Sequence, residues 1–160
     1  MKTLVLAAEL LQELSSYLEG AYPEEGAGFL LGKTEKELGR VQALFPLPNA
    51  REAEARSNRF LLTPQDYVVA ELHAEQSGLE ILGVFHSHPD CPNIPSEFDR
   101  QWALPHLVYL ITTVSQGKAA NHRAWMLRED RSAFDEITLE LSTRPPFLST
   151  THSVGQLTNP

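Results

Sequence analysis

LEILGVFHSHPDCPNIPSEFD, Leu79 to Asp99, joins an apolar run to two histidines, three prolines and an aspartate. Its first ten residues, through His88, are rich in branched and aromatic side chains and predict a strand. Side chains two apart on a strand point to one face, so His86 and His88 present two imidazoles together at the strand's end. Pro89, Pro92 and Pro95 restrict the loop that follows, which lets it hold a shape without a hydrogen-bonded ladder. Ser96 then starts a helix that runs through Trp102 and ends at Pro105, with Asp99 in its first turn. From there the chain can fold the carboxylate back over the two histidines. Two histidines and one carboxylate leave tetrahedral zinc one open position, the arrangement of catalytic rather than structural zinc.

Each piece also has a plainer reading. Ser-x-x-Asp before a helix is a capping box, and capping and ligation can both be true of it. A single histidine on a strand is more often packed or exposed than a ligand. The conjunction is what is specific: His-x-His-Pro, seven intervening positions counting that proline, then Ser-x-x-Asp.

Outward from this stretch, apolar residues at Leu6, Leu10, Leu11, Leu14 and Leu18 predict an amphipathic helix from about Ala7 to Glu19, ended by Gly20 and Pro23. AGFLLG (27–32) reads as a buried strand and RVQALFPLP (40–48) as the next. Asn49 to Arg59 carries no apolar side chain larger than alanine and reads as an exposed loop of the kind that serves substrates, with Arg51, Arg56 and Arg59 as its cations. Thr63-Pro64 is a helix entry, with threonine as N-cap and proline at the first helical position, and the helix runs to about Gln76. PHLVYLITTV (105–114), His122 to Arg128 and ITLEL (137–141) read as three further strands. Strands interleaved with about three helices predict a mixed α/β layer structure.

Composition bounds the function. One domain is the simplest reading of 160 residues that are 42% hydrophobic. A formal charge of -8 argues against nucleic acid and anionic membrane as partners. The only cysteine is Cys91, so an intrachain disulfide and four-thiolate zinc frameworks are excluded and a cytoplasmic location is expected. The N-terminal apolar run is interrupted by Glu9 and Glu13, short of a signal peptide or a membrane span.

His86, His88, Ser96 and Asp99 match the motif of the JAMM (MPN-plus) metalloproteases, and the chain resembles that family's small prokaryotic stand-alone members. The family also carries a glutamate just before a strand of the form x-Gly-x-Leu-x-Gly, and YPEEGAGFLLG supplies it, with Gly28 and Gly32 in their family places. Glu25 falls in register. Glu24 is the competing choice, and a solvated loop carboxylate is the plain reading of either. The likeness covers residues from about 3 to 141, which divides the chain into a domain over 1–143 and a C-terminal tail over 144–160.

The resemblance implies a cytidine-deaminase-like (JAB/MPN) α/β fold, a mixed sheet flanked by helices, in which His86, His88 and Asp99 ligate one zinc ion. It implies Glu25 as general base and then general acid, and Ser96 as hydrogen-bond donor to the oxyanion. It also implies hydrolysis of the amide bond after the C-terminal Gly-Gly of a ubiquitin-like or sulfur-carrier protein, releasing cysteine from a carrier adduct or trimming a carrier tail. An isopeptidase removing ubiquitin-like proteins from lysines is the close variant. A non-catalytic MPN scaffold is the rival from another class, although such members usually lack some of these five residues. A zinc nucleobase deaminase needs paired cysteines that this chain lacks. The sequence assigns no role to Ser87, Cys91, His73, His106, His122 or His152, and leaves a homodimer open.

Overall fold

The computed structural model describes residues 1–48 and 61–143; the polar loop with its three arginines and the tail from Arg144 lie outside the described residues. The chain runs β1 (Thr3–Ala7), α1 (Ala8–Ala21), β2 (Ala27–Glu35), β3 (Leu38–Leu47), α2 (Pro64–Gln76), β4 (Glu80–Pro89), α3 (Glu97–Trp102), β5 (Val108–Ser115), β6 (Lys118–Leu127) and β7 (Phe134–Ser142). Every strand and helix expected from the sequence is present. β5 begins at Val108 rather than Pro105, because Leu107 N–H bonds the Leu104 carbonyl and closes a turn there.

β1 is the element the sequence reading missed. Leu4 to Ala7 are all buried, so the segment has no polar face and lacks the alternation that marks a half-buried strand. It lies parallel to β3 on one side and to β7 on the other, where Thr3–Ala7 faces Thr138–Ser142. The sheet therefore closes on itself in the order β1-β3-β2-β4-β5-β6-β7. It is mixed as expected, with β4 parallel to β5 and the β2–β3, β2–β4, β5–β6 and β6–β7 pairs antiparallel.

The two faces bury different helices. On one, Leu10, Leu14 and Leu18 of α1 form a stripe at four-residue spacing and pack with Leu6, Leu30, Phe85 and Leu110. Each such leucine contributes about 2 kcal/mol by leaving water. On the other, Ala70 and Ala74 of α2 pack against Phe29, Leu31, Val84, Tyr109 and Ile111. α2 opens with the predicted Thr63 cap, reciprocated by Asp66.

β4 feels both faces. The β2–β4 register slips between Leu30 and Leu31, so that Leu82 and Phe85, three apart, both reach the α1 side. Beyond the slip the alternation is regular, with Val84, His86 and His88 on the face away from α1. Gly28 lets this register form, since a methyl group there would sit 2.4 Å from Phe85 Cζ.

Candidate active site

The two imidazoles leave β4 at its C-terminal end, where His86 is fully buried and His88 nearly so. Their Nε2 atoms are 3.2 Å apart. His86 Nε2 lies 3.3 Å from Asp99 Oδ1, and His88 Nε2 lies 3.3 Å from Asp99 Oδ2. Ligands at about 2.0–2.1 Å from a tetrahedral zinc ion are separated by about 3.3–3.4 Å, the edge of the tetrahedron. The three side chains thus form one face of such a site, and among the described residues they form a group of metal-capable side chains whose donor atoms converge.

The hydrogen bonding around them favours a cation at the centre. His88 Nδ1 lies 2.7 Å from the Pro92 carbonyl, which can only accept, so Nδ1 carries a hydrogen and Nε2 is the ring atom turned toward His86 and Asp99. Burial pulls the His86 pKa below its ordinary value, against the pull of Asp99. At His88 burial acts in the same sense, but the Asp99 hydrogen bond, the Pro92 carbonyl and the charges of Asp99 and Glu25 outweigh it and raise the pKa. Burial opposes ionisation of Asp99 too, yet the charge of His86 and hydrogen bonds from His86, His88 and the Ser96 N–H hold its carboxyl far below the usual range. The carboxylate is an anion kept dry beside two imidazoles, a donor set suited to a divalent metal ion.

Asp99 reaches this position through α3. Asp99 N–H donates to Ser96 Oγ at 3.0 Å and Ser96 N–H donates to Asp99 Oδ2 at 2.7 Å, a reciprocal capping box. A six-residue helix is too short to stand alone. Its far end is held by Arg131, whose guanidinium donates to the carbonyls of Ala103 and Arg100 at 2.8 Å and of Gln101 at 3.1 Å. The proline loop is tied down by Trp125 Nε1, which donates to the Asn93 carbonyl. Arg131 was invisible to sequence reasoning, since its partners lie about thirty positions away and no local motif marks it.

Strand parity and burial bear on the two glutamates. Ala27 pairs with His86 and Phe29 with Val84, so odd-numbered residues of β2 share the histidine face. Glu25 lies two residues before Ala27, ahead of the paired strand. It is buried at 7% exposure, and its charge acts on His88. Glu24 is one residue out of phase and its N–H bonds the Ala21 carbonyl. Ser96 stands exposed at the lip. Cys91 is exposed and outside the converging group. His122 bonds Thr112 Oγ1 and His73 stacks near Phe45, neither of them in the cluster.

Residues 7–128 match the family model described as prokaryotic homologs of the JAB domain. The chain belongs to this family. It is 31% identical over 103 residues to a probable TtuB-protein conjugate cleaving protease of Thermus thermophilus, a match covering 62% of this chain and 65% of that one. The chain thus spans just under two thirds of that relative's length. It is 29% identical over 134 residues to a desampylase of Pyrococcus furiosus, covering 79% and 83%. Among solved structures, a Salinibacter ruber protein shares 39% identity at a TM-score of 0.69, covering 92% of this chain and 95% of that one. A JAB1/MPN domain protein of Archaeoglobus fulgidus matches at a TM-score of 0.52 and 20% identity, covering 88% and 98%, which shows the shared fold. Among the described residues, no helix is long and apolar enough to cross a membrane.

Proposed function

We propose that this chain is a zinc-dependent peptidase of the JAMM type that hydrolyses the amide bond following the C-terminal Gly-Gly of a ubiquitin-like or sulfur-carrier protein. The observation that carries this reading is the trio of donor atoms separated by 3.2–3.3 Å, with the buried carboxylate of Glu25, whose charge acts on His88, just ahead of the adjoining strand. His86, His88 and Asp99 would hold the ion. The chemistry it supplies is Lewis acidity, which polarises an amide carbonyl and acidifies water.

The chain's own groups do the rest. Glu25 takes the proton of the attacking water as general base and returns it to the leaving amine as general acid. Ser96 Oγ already accepts the Asp99 N–H, which leaves its own hydrogen to donate to the oxyanion. The dry walls around His86 and Asp99 strengthen each of these interactions.

The names of the relatives favour one version of the substrate. One is named for cleaving TtuB-protein conjugates and another as a desampylase, which supports removal of a ubiquitin-like protein from a conjugate ahead of cysteine release or tail trimming. A Gly-Gly tail offers little side chain to recognise and pairs through its backbone with a strand edge. Among the described residues β3 pairs with β1 only over Leu38–Arg40, and the edge of β3 between Arg40 and Leu47, whose carbonyl accepts from Tyr17 OH, is the one we assign that role. The cytoplasm is the compartment in which such a carrier would be met.

The test incubates zinc-loaded protein with a ubiquitin-like carrier ending in Gly-Gly that bears cysteine, a short peptide or an isopeptide-linked lysine, and reads the products by mass. Release of the carrier with an intact Gly-Gly terminus, fastest from the lysine conjugate, is expected. No cleavage of any of the three would overturn the proposal.

A further inference from the structure

The residue between the two histidines is a serine, fully buried, and its side chain points away from the metal ligands. Alternation along β4 turns Ser87 toward the α1 side while its neighbours turn toward Asp99. Ser87 Oγ accepts the N–H of Gly26 at 2.9 Å, and the Ser87 N–H donates to the Gly26 carbonyl at 3.0 Å. Both backbone polar groups of Gly26 are therefore bound by one residue, and Gly26 is the residue after Glu25. A larger residue there would have to displace α1 side chains, because a Cβ would lie 2.8 Å from Leu18 Cδ2 and 3.1 Å from the Ala21 Cβ of α1. The strand entry is thus pressed between α1 and β4 and fixed at both of its hydrogen-bonding atoms.

We propose that Ser87 is a positioning residue for Glu25: its hydroxyl sets the distance of that carboxylate from the ligands His86 and His88. The inference rests on the reading of Glu25 as general base. The paired register of β2 and β4 ends at Ala27 and His86, and past it a single backbone bond, Ser87 N–H to the Gly26 carbonyl, joins the two segments. The Ser87 hydroxyl continues the ladder by one side-chain rung. A second tether acts at the other end of the same segment, where Tyr22 OH donates to Asp90 Oδ2 at 2.7 Å and Asp90 Oδ1 accepts the Gln116 N–H. That tether is exposed to water, so the buried Ser87 bond is the stronger constraint. Residues 22 to 26 are then held at one end by the residue between the two histidines and at the other by Asp90, two residues past His88, which ties base and ligands into one body.

The experiment compares Ser87→Ala, which removes the acceptor and leaves the ligands and strand intact, with Ser87→Thr, which keeps it. Three quantities are read: bound zinc per chain, kcat and KM for the carrier conjugate, and amide hydrogen exchange at Gly26 relative to Phe29. The expected result for Ser87→Ala is unchanged zinc and KM, kcat lower by about tenfold or more, and faster exchange at Gly26 with Phe29 unaltered. Ser87→Thr should return kcat and exchange toward wild type. Wild-type kcat and exchange in Ser87→Ala would overturn the proposal, and so would parallel losses of zinc and kcat, which mark a serine that supports the ligands instead. Wild-type turnover in Glu25→Gln would overturn the general-base reading itself, and the Gly26 exchange would still report whether the clamp exists.

Discussion

Two helices of this molecule begin with the same device and put it to different ends. α2 opens with Thr63 and Asp66, α3 with Ser96 and Asp99, and in both the hydroxyl accepts the N–H three residues on while the carboxylate accepts the cap N–H. At α2, among the described residues, Asp66 belongs to no converging donor set. At α3 the carboxylate meets the imidazoles of His86 and His88 with both oxygens while still closing the box. A capping box becomes a candidate ligand because of what the sheet places opposite it. The helix start is local, and the chemistry comes from a strand ten residues earlier.

The sharpest way to break that comparison is Asp99→Ala. It should abolish most zinc binding and, with it, detectable turnover, because a three-ligand site cannot spare its one carboxylate. Glu25→Gln should keep the metal and lower kcat by about 10² to 10⁴, read by metal analysis and conjugate cleavage on the same preparation. Ser96→Ala separates the two roles of the α3 box: a rate loss of about 10² to 10³ from the missing oxyanion donor, with about 1 kcal/mol of stability lost from the missing cap. Arg131→Ala removes three bonds to the carbonyls ending α3 and should lower unfolding stability by about 1–3 kcal/mol, with weaker zinc retention because α3 carries Asp99. Thr63→Ala is the control at α2. It should cost about 1 kcal/mol in denaturant unfolding and leave kcat unchanged. Equal rate losses in Thr63→Ala and Ser96→Ala would erase the distinction between the two boxes.

What the sequence made legible follows from which contacts are local. His-x-His on a strand and Ser-x-x-Asp at a helix start are short-range patterns, so the elements bearing the candidate ligands were readable directly. β1 was not, because a strand buried on both faces lacks the period-two signal and its partners lie in β3 and β7. Closure of the sheet went unseen for the same reason. Glu25 was chosen over Glu24 from its place ahead of Gly28 and Gly32 in the motif, and its burial is what the fold adds. Arg131 and the Ser87–Gly26 bond are contacts between distant segments with no motif of their own. The loop expected from Asn49 to Arg59, and a role for its arginines, lie outside the described residues.

The central claim is that His86, His88 and Asp99 share one metal ion. Metal analysis of the purified protein after zinc exposure and gel filtration, alongside Asp99→Ala and Glu25→Gln, tests it most directly. About one zinc per chain in the wild type and in Glu25→Gln, with little in Asp99→Ala, is the predicted result. Metal-free wild type, or zinc retained in full by Asp99→Ala, would contradict it.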